Sequence, residues 1–114
     1  MDSCVFCRIQ RGEIPCTIIK RGAHCFAFRD IHPQAPHHVL IVPTRHIASL
    51  DQLTESDQSL LGELVLLATA VARELGIAQS GYRCVWNCGA DGGQSVDHVH
   101  LHLLGGRTLA WPPG

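Results

Sequence analysis

The chain has 114 residues, 46% of them apolar and 17% charged, with a net charge of −1 when histidine is counted as neutral. That is enough for one compact domain with a modest core, and the apolar content excludes a disordered chain. The low net charge offers no face for a nucleic-acid backbone, and the richest apolar stretch, Leu60 to Ala72, is broken by Gly62, Glu63 and Thr69, so no membrane span is expected. No apolar leader follows Met1; the expectation is a cytoplasmic protein whose six cysteines are thiols or metal ligands rather than a disulfide framework.

In chain order, Ser3 to Ile9 predicts a short amphipathic helical turn closed by Gly12 and Pro15. Cys16–Lys20 and His24–Phe28 have the β-branched and aromatic content of strands, and Arg21-Gly22-Ala23 between them predicts a hairpin. Asp30 to Pro36 holds two prolines and reads as a loop. His38 to Val42 is a nearly continuous apolar strand ended by Pro43. Thr54 is a good helix cap, Gly76 a good stop, and Leu60, Leu61, Leu64, Ala68, Val71, Ala72 and Leu75 between them recur at helical spacing. Tyr82 to Asn87 predicts a further strand, and Gly89 to Ser95 a loop rich in glycine. The expected fold is α+β: an antiparallel sheet of about five strands with one long and one short helix, in a single domain over 1–114. One long helix covers one face of such a sheet, which leaves the other solvated, functional or covered by a second copy of the chain.

The stretch that carries chemistry is Asp97-His98-Val99-His100-Leu101-His102-Leu103-Leu104. Read as a strand, it lines one face with His98, His100 and His102 and buries Val99, Leu101 and Leu103 on the other. His98 and His102 would lie roughly 13 Å apart along such a strand, too far to share one tetrahedral ion. A row of imidazoles suits an extended anion instead, with one ring attacking and another donating hydrogen bonds, and phosphate esters fit that description. The glycine loop just before it can present backbone N–H groups to phosphate oxygens.

Gly92-Gly93-Gln94-Ser95 followed by the histidine run, Gly105-Gly106-Arg107 and the closing Trp111-Pro112-Pro113-Gly114 resemble the histidine triad superfamily, specifically its Hint branch of nucleoside phosphoramidases. Phe28-Arg29-Asp30-Ile31, Pro33 to Pro36 and Pro43 to Ile47 match the same branch, so the resemblance spans nearly the whole chain. It implies hydrolysis of purine nucleoside 5′-phosphoramidates through a nucleotidyl-histidine, with His100 as nucleophile and His102 assisting at the phosphate. It implies that Ser95 hydrogen-bonds the leaving amine, that Asn87 and the Gly93, Gln94 and Ser95 backbone hold the phosphate, and that Asp30 accepts from the ribose hydroxyls. Val5, Phe6, Ile9, Phe28 and Ile31 would form the base slot, although Phe6, Ile9 and Phe28 also read as plain core. A homodimer would extend the sheet and bring Trp111 toward the neighbouring site. Alternatives are a dinucleoside polyphosphate hydrolase or nucleotidyltransferase of the same superfamily, and a nucleotide-binding module with incidental turnover.

Two departures stand out. Asp97 occupies a position where the branch usually has Tyr. Cys4-x-x-Cys7 resembles the zinc site of other histidine triad proteins and of the galactose-1-phosphate uridylyltransferase relatives, which implies Cys4, Cys7, His46 and His98 as ligands of a structural zinc ion. A pair of reduced cysteines is the other reading. Cys16, Cys25, Cys84 and Cys88 are expected as buried thiols, and His24, His32 and His37 as solvated side chains.

Overall fold

The computed structural model describes residues 4–114, so Ser3 lies outside them. Two helices, α1 (Val5–Gln10) and α2 (Gln58–Glu74), accompany strands β1 (Ile18–Arg21), β2 (Cys25–Arg29), β3 (His37–Pro43), β4 (Tyr82–Trp86) and β5 (Leu101–Gly105). The strands form one antiparallel sheet in the order β1-β2-β3-β5-β4. Every expected element is present. The exception in detail is the histidine run: pairing begins only at Leu101, and Asp97 to His100 approach the sheet as irregular chain.

Strand alternation divides the sheet into two faces. Cys25, Ala27, Val39, Ile41, Leu101 and Leu103 point to α2, where Leu64, Leu67, Ala68, Val71 and Ala72 bury against them. The expected stripe on α2 is correct apart from the omission of Leu67. The helix starts from a turn at Glu55–Asp57, where the buried Asp57 carboxylate accepts the Thr54 N–H at 2.9 Å and pairs with Arg45. It stops at Gly76, whose φ of 76° lets the Ile77 N–H return to the Ala72 carbonyl and buries Ile77 beneath the turn. Phe26, Phe28, Leu40 and Val42 point to the other face, and Phe6 of α1 completes this smaller cluster. The second face is therefore partly roofed by α1; the rest is the cleft described below.

Three surface expectations need correction. Cys84 and Cys88 are exposed rather than buried: Cys84 lies on β4, the sheet edge, beyond which no described strand pairs, and Cys88 lies in the turn that follows. Cys16 is only half-buried. His37 is half-buried, not solvated: it pairs with Gly105 at the sheet end, and its Nδ1 is buried with no hydrogen-bond partner among the described residues.

Candidate active site

The cleft lies on the face opposite α2 and has a volume of about 250 Å³. Its apolar wall is Val5, Phe6 and Ile9 of α1 together with Phe28 and Ile31, the five residues expected to form a slot. Phe6 and Phe28 serve both readings, being 5% and 4% exposed and packed edge to face at 5.6 Å while still lining the cleft. Asp30, Ser95, His100 and His102 form the polar end. Cys16, just before β1, and Leu40 of β3 also line the cleft, a position that the apolar pattern of the sequence does not reveal. A more open hollow of about 520 Å³ lies between Ser80–Arg83 and Gly106–Leu109, away from every triad histidine.

Hydrogen-bond partners assign the histidine tautomers. His100 Nδ1 lies 2.7 Å from the His98 carbonyl oxygen and must carry a proton to bond it, which leaves the lone pair on Nε2. On β3, His38 Nδ1 accepts the Gln34 backbone N–H at 3.0 Å, so its proton sits on Nε2. That Nε2–H donates to His102 Nδ1 at 2.9 Å, with Asp30 Oδ2 farther off at 3.5 Å. His102 is thereby left with Nε2–H as a donor. The pair His100 and His102 thus presents one nitrogen lone pair and one N–H, with ring centroids 4.9 Å apart. Burial keeps both supporting imidazoles neutral: it holds His38 below its usual range and His102 down at about 4, with repulsion from His100 and His38 adding to the latter.

The sequence marks His38 as a histidine at a strand start that can hydrogen-bond within the fold; that its partner is His102 is not evident from it. Strand alternation offers the signal, because it sets His38, Leu40 and Val42 on the same face as His102, whose cross-strand neighbour is Leu40. Asp30, His38 and His102 bring three potential metal-ligand atoms together. The Gln34 N–H, however, forces the proton onto the nitrogen of His38 that would have to bind the ion, so the group works as a hydrogen-bond relay.

The glycine loop differs from expectation in its donors. The N–H groups of Gly93 and Gln94 are spent within it, on the carbonyls of Ala90 and Gly89. Gln94 also clamps the loop with its side chain, accepting the Gly89 N–H at 3.0 Å and donating to Ala48 and Val96 carbonyls at 2.7 and 2.9 Å. Ser95 is the loop residue that lines the cleft; Asn87, Gly93, Gln94 and Trp111 do not. Trp111 is 80% exposed, and Asp97 points to solvent.

Behind the cleft, Cys4, Cys7, His46 and His98 converge, their four ligand atoms all within 4.8 Å of one another. Cys4 Sγ lies 3.3 Å from His98 Nδ1, and Cys7 Sγ lies 3.4 Å from His46 Nδ1 and 3.7 Å from His98 Nδ1. Tetrahedral zinc with ordinary bond lengths separates neighbouring sulfur and nitrogen ligands by about 3.5 Å. His98 is also in the correct tautomer, since its Nε2–H donates to the Pro43 carbonyl at 2.9 Å and frees Nδ1 for the ion. Two thiolates, two imidazoles and a second-sphere carbonyl fit a closed zinc site. The resemblance also places His98 in the catalytic row, but its side chain is turned to the thiols: the residue is 1% exposed, and it is the His98 carbonyl that meets His100.

The family model for the HIT domain matches residues 11–109. The chain belongs to the HIT domain family. An uncharacterized HIT-like protein of Synechococcus elongatus is 50% identical over 113 residues, covering 99% of this chain and 98% of its own length. Another, from Synechocystis, is 47% identical with the same coverage. Among solved HIT structures, a HIT family hydrolase from Legionella pneumophila superposes with a TM-score of 0.96 at 47% identity, covering 98% of this chain and all of that one. A histidine triad nucleotide-binding protein from Candida albicans gives 0.81 at 32% identity, with 96% and 83% covered. No helix among the described residues of this HIT protein is long and apolar enough to cross a membrane.

Proposed function

We propose that this HIT protein is a nucleotide hydrolase that cleaves the P–N bond of purine nucleoside 5′-phosphoramidates. The observation that carries the reading is the tautomer pair: a bare His100 Nε2 beside a proton-bearing His102 Nε2, at the polar end of an apolar slot. Related structures described as a HIT family hydrolase and a histidine triad nucleotide-binding protein support the class.

In the first step His100 Nε2 attacks the α-phosphorus; the P–N bond breaks as the new N–P bond forms, and the amine leaves with a proton taken from solvent water at the cleft mouth. His102 Nε2–H donates to a phosphoryl oxygen as charge builds there, and His38 steadies it from behind. Ser95 stands at the cleft edge, where its hydroxyl can bond the departing amine. In the second step water attacks phosphorus and gives a proton back to solvent, the N–P bond breaks with its electron pair returning to Nε2, and neutral His100 is restored. The His98 carbonyl bears on both steps: it fixes the free nitrogen and stabilises the positive charge that the imidazole acquires on phosphorylation. Asp30 Oδ1 accepts the His32 N–H at 2.8 Å, which orients the carboxylate so that Oδ2 can accept from a ribose hydroxyl. A zinc ion held by Cys4, Cys7, His46 and His98 would take no part in the bond-breaking steps. A second copy pairing along β4 would cover the open sheet edge and give the exposed Trp111 a neighbour. Free cysteines throughout the described chain suit a cytoplasmic setting.

Incubation with adenosine 5′-phosphoramidate should release AMP, and His100→Ala should abolish release. Undiminished turnover in that variant refutes the mechanism, and faster cleavage of dinucleoside polyphosphates than of phosphoramidates refutes the substrate class.

A further inference from the structure

The cysteine-histidine cluster and the nucleotide cleft share two structural parts. The first is His98, whose ring faces the thiols while its carbonyl holds His100 Nδ1 at 2.7 Å. The second is α1, whose Cys4 and Cys7 lie in the cluster while Val5, Phe6 and Ile9 form the cleft wall. Phe6 lies between the two sites, edge-on to His98 at 5.6 Å and to His100 at 5.1 Å.

A six-residue helix cannot hold itself together in water, where roughly 12–15 residues are the minimum even for favourable sequences. Docking must hold α1, and only Phe6 and Cys7 within it are buried. Without an ion, the cysteines offer thiol-imidazole contacts of 3.3 to 3.7 Å, among the weakest hydrogen bonds a side chain makes. An ion replaces them with coordinate bonds from both ends of the first helical turn to His46 and His98. His46 belongs to the same frame, because the turn that carries it accepts from His98 Nε2–H through Pro43 and from the Val99 N–H through Ile47, at 2.9 and 2.7 Å.

We propose that Cys4, Cys7, His46 and His98 form a zinc-operated control of the nucleotide cleft, in which the ion and the nucleotide each raise the protein's affinity for the other. The inference rests on the reading of the cleft as a nucleotide site. Ion binding orders α1 and pins His98, so a nucleotide meets a finished base wall and a fixed nucleophile. A nucleotide packed against Val5, Phe6 and Ile9 in turn holds the thiols in place for the ion. Linkage requires the two effects to be equal in size.

The test uses the full chain under reducing conditions, with zinc ion and AMP as probes. AMP affinity is measured by calorimetry on zinc-loaded and chelator-stripped protein. Zinc affinity is measured by competition with a chromophoric chelator, with and without saturating AMP. Both affinities are expected to rise by the same factor, at least about fivefold, and amide exchange in residues 5–10 should slow when zinc is added. If the stripped protein does not fold, the chelator competition on loaded protein decides alone. Equal AMP affinity in both forms, or zinc affinity indifferent to AMP, overturns the coupling and leaves the nucleotide reading standing. Failure of AMP to bind the loaded protein overturns both.

Discussion

Replacing His38 with phenylalanine removes both ring nitrogens and keeps the ring, so it isolates the relay behind His102. The change leaves His102 Nδ1 without its donor at 2.9 Å and the Gln34 N–H without its acceptor at 3.0 Å. Loss of tautomer control alone costs only a few-fold, since an imidazole without partners populates both tautomers. The larger loss is in the transition state. In the proposed mechanism the His102 N–H bonds a phosphoryl oxygen gaining negative charge there, and a hydrogen bond feeding a charged group is worth about 1.5–3 kcal/mol. That converts to a fall of about 10- to 150-fold in kcat. Affinity for AMP should change far less, because Asp30 and the apolar wall are untouched. Stability should drop by about 1–3 kcal/mol for the orphaned Gln34 N–H. Steady-state AMP release from adenosine 5′-phosphoramidate, beside a denaturant titration, reads both quantities. A folded His38→Phe enzyme with wild-type kcat would refute the relay.

Stability should also depend on pH through His102. The folded state takes up this proton only near about 4, whereas the unfolded chain does so near 6.5, so the unfolded state binds more protons between those values. Stability is therefore intact above pH 6.5 and falls as pH drops toward 4; urea midpoints at pH 7 and 5 should fall further for wild type than for His102→Gln, and equal falls would refute the assignment. In the glycine loop, a Cβ on residue 92 would press on the Cys88 carbonyl oxygen, which is backbone and cannot step aside. Gly92→Ala should cost about 1–3 kcal/mol in thermal unfolding and slow turnover by displacing Ser95. Phe6→Ala should lower stability by about 3–5 kcal/mol in urea titration; a negligible change would mean that α1 is not docked as described. Elemental analysis of protein purified without chelators should find about one zinc per chain, absent from a Cys4→Ala, Cys7→Ala double variant.

Periodicity carried most of the fold. The alternation in β2, β3 and β5 and the helical stripe of α2 are local consequences of which face is buried, so they can be read from one segment at a time. The strand order is not local: nothing in Tyr82–Trp86 or Leu101–Gly105 says which of the two pairs with β3. The site divides in the same way. His100, Ser95 and Asp30 are recognisable as parts of a motif, and the expected zinc ligands converge. His38 and Gln94 escape because their roles depend on partners 64 and 46 residues away, and a donor inventory of the glycine loop requires knowing that Gly93 and Gln94 bond within it. The extended-strand reading of the triad failed for a related reason: at His98 the chain answers to Pro43 and the thiols rather than to a neighbouring strand.

The position of β5 bears on how this protein is made. It follows both β3 and β4 in the chain, yet it is inserted between them. Without β5, β3 and β4 would each expose a row of unpaired backbone groups, and β3 carries the apolar run Val39 to Pro43. A chain in which β3 and β4 formed before β5 docked would have two open edges, the condition under which strands pair between molecules instead of within one. Insertion of β5 closes that gap and places His102 beside His38 in the same step.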